Sequence, residues 1–311
     1  MIWILVAILA IALIVLLGGW FMFDFTIIRK PHSPWKELPE NHPEHELRKM
    51  SLEGLKWLSQ QDREEWEITS FDGLKLKAYY FPAKNNPEKK ALLAMHGYHS
   101  HDFIDFARSA RYFLEAGYDV LMPDQRCHGK SEGKYICFGT KEKFDCRDWA
   151  VKVTERLGDE AKIVLMGVSM GSSTVTFALG TDLPKSVKAC IADCGFTSPK
   201  DIFTHVLKRN YRMGPFPLML TQRFFCRTVA KFDIDESTLD VLEDNDIPIL
   251  FVHGGQDDFV PTYMSHRNFL AAKGDEKEIL IIPAAVHAQC VNTDFNKCRK
   301  TMLEFCSEYV K

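Results

Sequence analysis

The chain has 311 residues, of which 46% are hydrophobic and 26% charged, the balance of a folded globular protein. Its formal net charge of -3 excludes a broadly basic surface, so nucleic acid is not an expected partner. Nine cysteines occur without a C-x-x-C pair, and their odd number argues against a zinc ribbon and against a complete disulfide framework. We therefore expect reduced, mostly buried thiols, which favours a reducing compartment.

Residues 1–25 are predicted to be a transmembrane anchor. Residues 2–23 carry no charge, and as a helix they would span about 33 Å, enough for the core of a bilayer. A cleaved signal peptide is the alternative, but no basic segment precedes the apolar run and no A-x-A site follows it. Because Arg29, Lys30 and Lys36 follow the run, the positive-inside rule predicts a single-pass protein with a cytoplasmic body.

Residues 26–61 are predicted to form a linker followed by a juxtamembrane or domain-capping helix. Prolines and histidines mark the linker, and apolar residues at roughly helical spacing mark the helix from residue 44. Two strands, at 66–71 and 74–81, are then predicted around an Asp-Gly hairpin turn. The folded domain is therefore predicted to begin at residue 62 and to extend to residue 311.

Short apolar strands alternate with helices along the rest of the chain. This alternation predicts βαβ units and a mainly parallel sheet flanked by helices, an α/β fold. It stops at about residues 197–235, where an apolar segment punctuated by prolines predicts a helical lid over a site, with ordinary core packing as the alternative. The predicted strands lie at 91–95, 119–122, 162–166, 187–192, 247–253 and 278–283.

The sequence KIVLMGVSMG at 162–171 predicts a strand, a sharp turn and the start of a helix. A serine hydroxyl needs such a rigid, exposed turn to act as a nucleophile, with a base and backbone donors nearby. Glycines two before and two after Ser169 match the G-x-S-x-G pattern of such a turn. A helix N-cap serine is the competing interpretation, which the partners of Ser169 make the weaker one.

An acid and a histidine follow the serine in the order that this chemistry requires. Asp257 lies on a loop after an apolar strand, and His287 lies on a loop after the next strand. Asp258 is the adjacent competitor for the acid. His266 also follows the acid, but it falls within a predicted helix, where a solvated position is the better interpretation.

The loop after the first buried strand, His96-Gly97-Tyr98, is predicted to supply part of an oxyanion hole. The two donors would be the backbone N–H groups of Tyr98 and Met170. The Tyr98 side chain either lines the acyl pocket or packs in the core. His96, His99, His101 and Asp102 lack the spacing of a metal-binding helix face, so no metal is expected.

The motifs HGYHSH, DQRCHGKSEG, GVSMG, HGGQDDFVP and AVHA together resemble those of the α/β-hydrolase superfamily. The resemblance covers residues 62–311 and is strongest to membrane-anchored, bacterial-type serine hydrolases and cinnamoyl-esterase-like enzymes. It implies an α/β-hydrolase fold, with Ser169 as nucleophile, Asp257 as acid and His287 as base. It also implies that Tyr98 and Met170 are the oxyanion donors, whereas the DQRCHG loop shapes the edge of the sheet.

The expected activity is a carboxylic ester hydrolase of the serine type, acting on a small-molecule ester or acyl substrate without metal or organic cofactor. Tyr98, Phe196 and Phe216 are candidates for the substrate pocket, and the apolar insertion favours an acyl or aromatic ester of modest size. A peptidase or an acyltransferase with the same triad is the first alternative. A catalytically silent, membrane-tethered scaffold is the second, and the oligomeric state is left open.

Overall fold

The computed structural model describes residues 1–31, 36–100 and 103–311. Eight strands form one sheet in the order β1-β2-β4-β3-β5-β6-β7-β8. Strands β1 and β2 are antiparallel to their neighbours, and β3 to β8 are parallel, as the alternation of strands and helices predicts. The strands are β1 Glu64–Thr69, β2 Lys75–Phe81, β3 Lys90–Met95, β4 Tyr118–Pro123, β5 Lys162–Val168, β6 Val187–Asp193, β7 Ile249–Gly254 and β8 Lys277–Ile282.

Helices cover both faces of this sheet. A 3-10 turn, Ile104–Phe106, lies just before the third α-helix, and a short α-helix precedes the C-terminal one. The helices are α1 Ile2–Ile27, α2 His45–Leu58, α3 Ser109–Glu115, α4 Glu142–Leu157, α5 Met170–Ala178, α6 Pro199–Tyr211, α7 Leu218–Phe225, α8 Thr238–Glu243, α9 Tyr263–Ala271, α10 Cys290–Thr293 and α11 Phe295–Tyr309, with a π-helical turn at Cys226–Ala230.

The core lies in two layers, one on each face of the sheet. Strands β3 to β6 are apolar on both faces because helices bury both, which is why their sequences show continuous apolar runs rather than alternation. All nine cysteines are free and buried, which confirms the expectation of unpaired thiols. The arrangement brings the carboxyl ends of the parallel strands to one edge, where open α/β sheets place their sites.

A third apolar cluster joins the end of α1 to the insertion between β6 and α8. Phe23 and Ile27 of α1 are fully buried in it, together with Phe203 of α6 and Met219 of α7. In the described part of the chain, α1 alone is long and apolar enough to cross a membrane, by length and composition. Its first 17 residues are nearly all exposed, whereas its last turns are part of the folded body.

The end of α1 is tied to the body by backbone as well as side-chain hydrogen bonds. Arg29 donates its N–H to the Lys134 carbonyl at 2.8 Å, and the Ile136 N–H donates to the Ile27 carbonyl at 2.8 Å. The Arg29 guanidinium also donates to the carbonyls of Gly129 and Ser131, at 2.7 and 2.6 Å. Arg29 therefore joins the end of the N-terminal helix to the loop after β4 by hydrogen bonds.

Candidate active site

Ser169 lies on a strained turn between β5 and α5. Its φ of 56° is in the left-handed region, which non-glycine residues rarely adopt outside functional sites. The turn is possible because Gly167 and Gly171 lack side chains: a Cβ on Gly171 would lie 1.8 Å from the Met95 carbonyl oxygen, and one on Gly167 would lie 2.1 Å from the Gly171 carbonyl oxygen. The predicted strand–turn–helix around Ser169 is present.

His287 and Asp257 lie beside this serine in a hydrogen-bonded row. The His287 Nε2 atom is 2.9 Å from Ser169 Oγ, and His287 Nδ1 is 2.7 Å from Asp257 Oδ2. Asp257 follows β7 and His287 follows β8, so the parallel strands bring both to the edge at which β5 ends. The structure therefore brings these three residues together, although they are up to 118 positions apart in the chain.

The carboxylate of Asp257 is buried and fully engaged. Its Oδ1 accepts the backbone N–H groups of Phe259 and Val260 at 3.0 and 2.9 Å. Burial alone would raise the pKa of Asp257, but hydrogen bonds from His253 and His287 outweigh it and hold that pKa below its usual range. Asp257 is therefore ionised at neutral pH and can hold the proton of the imidazole on Nδ1.

Asp258, the alternative acid, points away from this row. Its side chain is 76% exposed and pairs with Arg209 of α6 at 2.7 Å. The difference arises because Asp257 turns inward toward the two backbone donors, so its neighbour faces the mouth of the site. His266 likewise lies outside the site, on α9, where its ring contacts the Thr262 carbonyl.

The predicted oxyanion donors lie on the two loops that flank Ser169. Met170 is the first residue of α5, and Tyr98 follows β3. Among the described residues, neither backbone N–H has a hydrogen-bond acceptor, so both are available to a ligand. The Asp105 carboxylate fixes the β3 loop by accepting the Gly97 N–H at 2.7 Å.

Neutral histidines hold this loop in place. His128 accepts the His99 N–H on Nε2 at 3.1 Å, and its Nδ1 lies 3.0 Å from the Arg126 carbonyl. Burial lowers the pKa of His128 well below its usual value, so the ring stays uncharged and can accept that hydrogen bond. His96 acts similarly, with Nε2 accepting the Gln125 N–H at 3.0 Å. His101 and Asp102 lie outside the described residues.

A cavity of about 740 Å³ opens beside Ser169 and His287. Tyr98 lines it, as predicted for that side chain. Its hydroxyl donates to the Thr26 carbonyl of α1 at 2.9 Å. One wall of the cavity is therefore in contact with the end of the N-terminal helix. Burial raises the pKa of the Tyr98 hydroxyl, which therefore stays protonated and able to donate.

The other two predicted pocket residues do not line this cavity. Phe196 is buried against Phe138 in the third apolar cluster, and Phe216 is 77% exposed on the outer surface of the insertion. Their expected position was wrong because a run of apolar residues does not reveal which face of the insertion meets the site. Of the insertion, only Arg209 reaches the lining.

The second helix, α2, forms one wall of the cavity. Arg48 and Ser51 of α2 line the cavity, and Arg108 lines it from the segment before α3. Asn292 fastens α2 to the body, since its amide donates to Ser51 Oγ at 2.8 Å. No motif marks these residues; helical spacing within residues 44–61 predicts the helix but not the surface that it covers.

His253 is a further residue at the site, and because it precedes the acid in the chain, the order of serine, acid and histidine does not point to it. It is completely buried at the end of β7, where Nε2 is 2.8 Å from the Val260 carbonyl and 3.1 Å from Asp257 Oδ2. Its Nδ1 lies 2.6 Å from Ser265 Oγ, which makes a neutral ring with the proton on Nε2 the consistent assignment. His253 thus contacts the same carboxylate oxygen as His287 and helps to orient Asp257.

One more group of possible metal ligands lies at the site. Within the described residues, donor atoms of Cys194, Asp257 and His287 lie within 4.8 Å of one another. Burial raises the pKa of the Cys194 thiol well above its usual value, so the thiolate that a metal prefers is disfavoured. Asp257 and His287 are already bonded to each other, so this group is poorly suited to a metal.

Asp193, at the end of β6, is a buried carboxyl that also lines the cavity. Burial raises its pKa to about 6, and within the described residues its Oδ1 has no hydrogen-bond partner. Its ionisation therefore opposes folding, because the unfolded chain ionises near the ordinary pKa of 3.8. The stability that the neutral carboxyl provides is complete below about pH 4 and is lost as the pH rises through about 6.

We therefore expect Asp193→Asn to stabilise the protein at pH 8 by on the order of 2 to 3 kcal/mol and to have no such effect at pH 4. Urea unfolding of the full chain in detergent micelles at both pH values measures the difference. Asp246→Asn is the matched control, because Asp246 is exposed and should change stability by less than about 0.5 kcal/mol at either pH. An equal effect of Asp193→Asn at both pH values would contradict the assignment.

A protein-family model described as the alpha/beta hydrolase fold matches residues 90–237. That span contains Ser169 but ends before Asp257 and His287. Among curated proteins, the chain is 27% identical to the uncharacterized Bacillus subtilis protein YqkD over 247 residues, covering 79% of this chain and 80% of that one. It is 24% identical to the uncharacterized Escherichia coli protein YfhR over 234 residues, covering 72% and 73%.

Solved structures share the fold at low identity. The Pyrococcus furiosus esterase Pf2001 superposes with a TM-score of 0.67 at 21% identity, covering 92% of this chain and 99% of the esterase. A Pyrococcus horikoshii acylaminoacyl peptidase superposes with a TM-score of 0.57 at 17% identity, covering 82% of this chain and 43% of the peptidase. The sheet, its helices and the edge that carries the site are thus a recurrent architecture.

Proposed function

We propose that the chain is a member of the α/β-hydrolase superfamily and a serine hydrolase that cleaves carboxylic esters. One observation carries the proposal: the continuous row from Ser169 Oγ to His287 Nε2 at 2.9 Å and from His287 Nδ1 to Asp257 Oδ2 at 2.7 Å. A base within hydrogen-bond reach of a hydroxyl, itself oriented by a buried carboxylate, is the arrangement that activates a serine.

The first half of the reaction forms an acyl-enzyme. Ser169 Oγ attacks the ester carbonyl carbon while its proton passes to His287 Nε2, and Asp257 stabilises the imidazolium. The carbonyl oxygen becomes an oxyanion that the N–H groups of Tyr98 and Met170 would hold. The tetrahedral intermediate then expels the alkoxide, which takes the proton from His287 and leaves as an alcohol.

The second half repeats these steps with water. His287 removes a proton from a water molecule as its oxygen attacks the acyl carbon, and the same two N–H groups hold the second oxyanion. Collapse of this intermediate returns the proton to Ser169 and releases the carboxylic acid. The residues in these steps are this chain's own, and neither metal nor organic cofactor is required.

The cavity favours an ester that carries polar groups as well as an acyl chain. Its lining includes Ile104, Met166 and Val291, but also the charged residues Arg108 and Asp258. An ester whose acyl part packs on the apolar residues and whose polar part meets the charged residues would fit better than a purely aromatic one. The volume of about 740 Å³ accommodates a ligand of moderate size.

We also propose that α1 is an uncleaved, single-pass anchor with the body on the cytoplasmic side. Removing a signal peptide would expose the pocket that Phe23 and Ile27 fill and would remove the Thr26 carbonyl that Tyr98 contacts. The basic residues after α1 and the absence of disulfides among the described cysteines agree with a cytoplasmic body. The division into an anchor, residues 26–61 and a hydrolase body at 62–311 remains a proposal, with α2 contributing to the site.

A panel of matched substrates tests the reaction type. We expect full-length protein in detergent micelles to hydrolyse p-nitrophenyl acetate, butyrate and octanoate much faster than the corresponding p-nitroanilides, with the free acid as the product. Faster cleavage of the anilides would favour a peptidase. Transfer of the acyl group to added alcohol or amine, in place of release of the free acid, would favour an acyltransferase.

A further inference from the structure

The insertion packs tightly on the N-terminal helix through two consecutive glycines. A Cβ on Gly19 would lie 2.0 Å from Thr221 Oγ1, and one on Gly18 would lie 3.3 Å from a Leu218 methyl group. Such small residues allow two helices to approach closely. Aromatic contacts extend the interface, because Phe225 lies 5.3 Å from Trp20 and 5.8 Å from Phe23, measured between ring centroids.

This contact sets the position of α7 along the axis of α1, relative to the apolar run of that helix. Gly18 and Gly19 lie inside that run, and the first charged residue, Asp24, comes five to six positions later. At about 1.5 Å per helical residue, the contact with α7 lies roughly 8 Å to the apolar side of Asp24. If α1 spans a bilayer, α7 lies at the boundary between headgroups and acyl chains.

The outward side of α7 and of the loop before it is apolar. Leu220 and Phe224 are each more than half exposed, and Phe216 is 77% exposed. Met219 and Gln222, on the opposite side of α7, are buried toward α1 and the body. We call the surface formed by Phe216, Leu220 and Phe224 the outer face of the insertion. Exposed aromatic and aliphatic side chains in such a cluster indicate an interaction surface rather than a solvated one.

The segment that carries this face is basic. Residues 202–232 contain six basic residues and no acidic residue: Lys208, Arg209, Arg212, Arg223, Arg227 and Lys231. Arg209, Arg223 and Arg227 pair with aspartates that lie outside this segment. Within the described residues, Lys208, Arg212 and Lys231 have no ion pair, and each is a cation available to an anionic surface. Near an anionic leaflet, each such cation contributes about 1 kcal/mol.

We propose that the outer face of the insertion is immersed in the leaflet at which α1 ends, so that a lipid bilayer is its partner. The inference rests on the proposed anchor, and it adds a second membrane contact that α1 alone does not imply. Continuity with α1, the depth set by Gly18 and Gly19 and the surrounding positive charge all favour an anionic bilayer over a soluble protein. Because Tyr98 reaches Thr26 of α1, one wall of the cavity contacts the helix that carries this membrane contact.

Spin labelling of the full chain in nanodiscs of phosphatidylcholine and phosphatidylglycerol tests this proposal. Cysteines are introduced one at a time by Phe216→Cys, Leu270→Cys and Leu9→Cys, and the unsubstituted chain serves as a blank because its native thiols are buried. Leu270 on α9 is the matched control, since it is also 77% exposed. Leu9 reports whether α1 lies in the bilayer. The readout is nitroxide relaxation by oxygen, which concentrates in lipid, against relaxation by a nickel chelate, which stays in water.

We expect labels at positions 216 and 9 to be relaxed more by oxygen, and the label at 270 more by nickel. Nickel access at 216 with oxygen access at 9 would overturn the membrane contact and leave the anchor intact. Protection of position 216 from both reagents would mean that protein, such as a second copy of the chain, covers the outer face, which also overturns the proposal. Nickel access at position 9 would overturn both the anchor and the membrane contact of the outer face. Esterase activity is measured separately and does not depend on these outcomes.

Discussion

Replacing Ser169 or His287 by alanine is expected to lower kcat for ester hydrolysis by about 10⁴-fold to 10⁶-fold, because each removes a member of a unit that acts together. Ser169→Ala removes the atom that bonds to the acyl group. His287→Ala leaves the hydroxyl without a base at 2.9 Å. The measurement is steady-state turnover of p-nitrophenyl butyrate by the full chain in detergent micelles.

Covalent labelling with a fluorophosphonate separates this result from misfolding. The adduct should map to Ser169 in the wild type, disappear in Ser169→Ala and form slowly in His287→Ala. His266→Ala is the control, because that histidine is exposed on α9 and its ring contacts the carbonyl of Thr262, the residue before that helix. An adduct on another serine, or full activity in His287→Ala, would refute the assignment. Absence of any adduct on folded wild-type protein would favour the scaffold.

Asp257→Asn is expected to lower kcat by about 10⁴-fold while leaving the fold intact, since the amide can no longer hold the imidazole with its proton on Nδ1. The carboxylate carries this effect because it is buried, accepts two backbone N–H groups and lies 2.7 Å from His287. Its low pKa, set by the two histidines against the effect of burial, keeps it charged across the neutral range.

Asp258→Asn is the matched control, one position along the chain. That substitution removes an exposed pair with Arg209, and such pairs contribute about 0–1 kcal/mol, so kcat should fall by less than about tenfold. Turnover of the two variants is compared on the same ester, with circular dichroism to show equal folding. A larger loss in Asp258→Asn than in Asp257→Asn would reverse the assignment of the acid.

The features that sequence reasoning predicted are those encoded locally. The turn around Ser169 follows from two glycines at fixed offsets, and the parallel sheet follows from apolar runs that alternate with helices. The order of serine, acid and histidine was enough to propose Asp257 and His287, because strand ends in a parallel sheet converge on one edge. These signals depend on a few neighbouring residues, and tertiary packing leaves them unchanged.

The features that sequence reasoning missed depend on packing between distant elements. Phe216 was placed in the pocket by its apolar character, but the close contact between α1 and α7 turns it outward. The helix α2 was predicted to be juxtamembrane or domain-capping, but nothing in its sequence indicates that Asn292 fastens it over the cavity. The order of the triad residues does not point to His253, although the fold directs its ring at Asp257. Neither composition nor spacing encodes these contacts.

The buried thiols tie the lifetime of the folded state to the redox potential around it. A thiol reacts as its exposed thiolate, and burial raises the pKa of Cys146 and Cys194, so alkylation must wait for the surrounding segment to open. Cys146 lies on one face of the sheet, Cys298 on the other and Cys226 in the insertion. The alkylation rate of each thiol therefore measures how often the region around it opens. In an oxidising medium, each opening would expose a thiol that can form a disulfide and trap the opened chain.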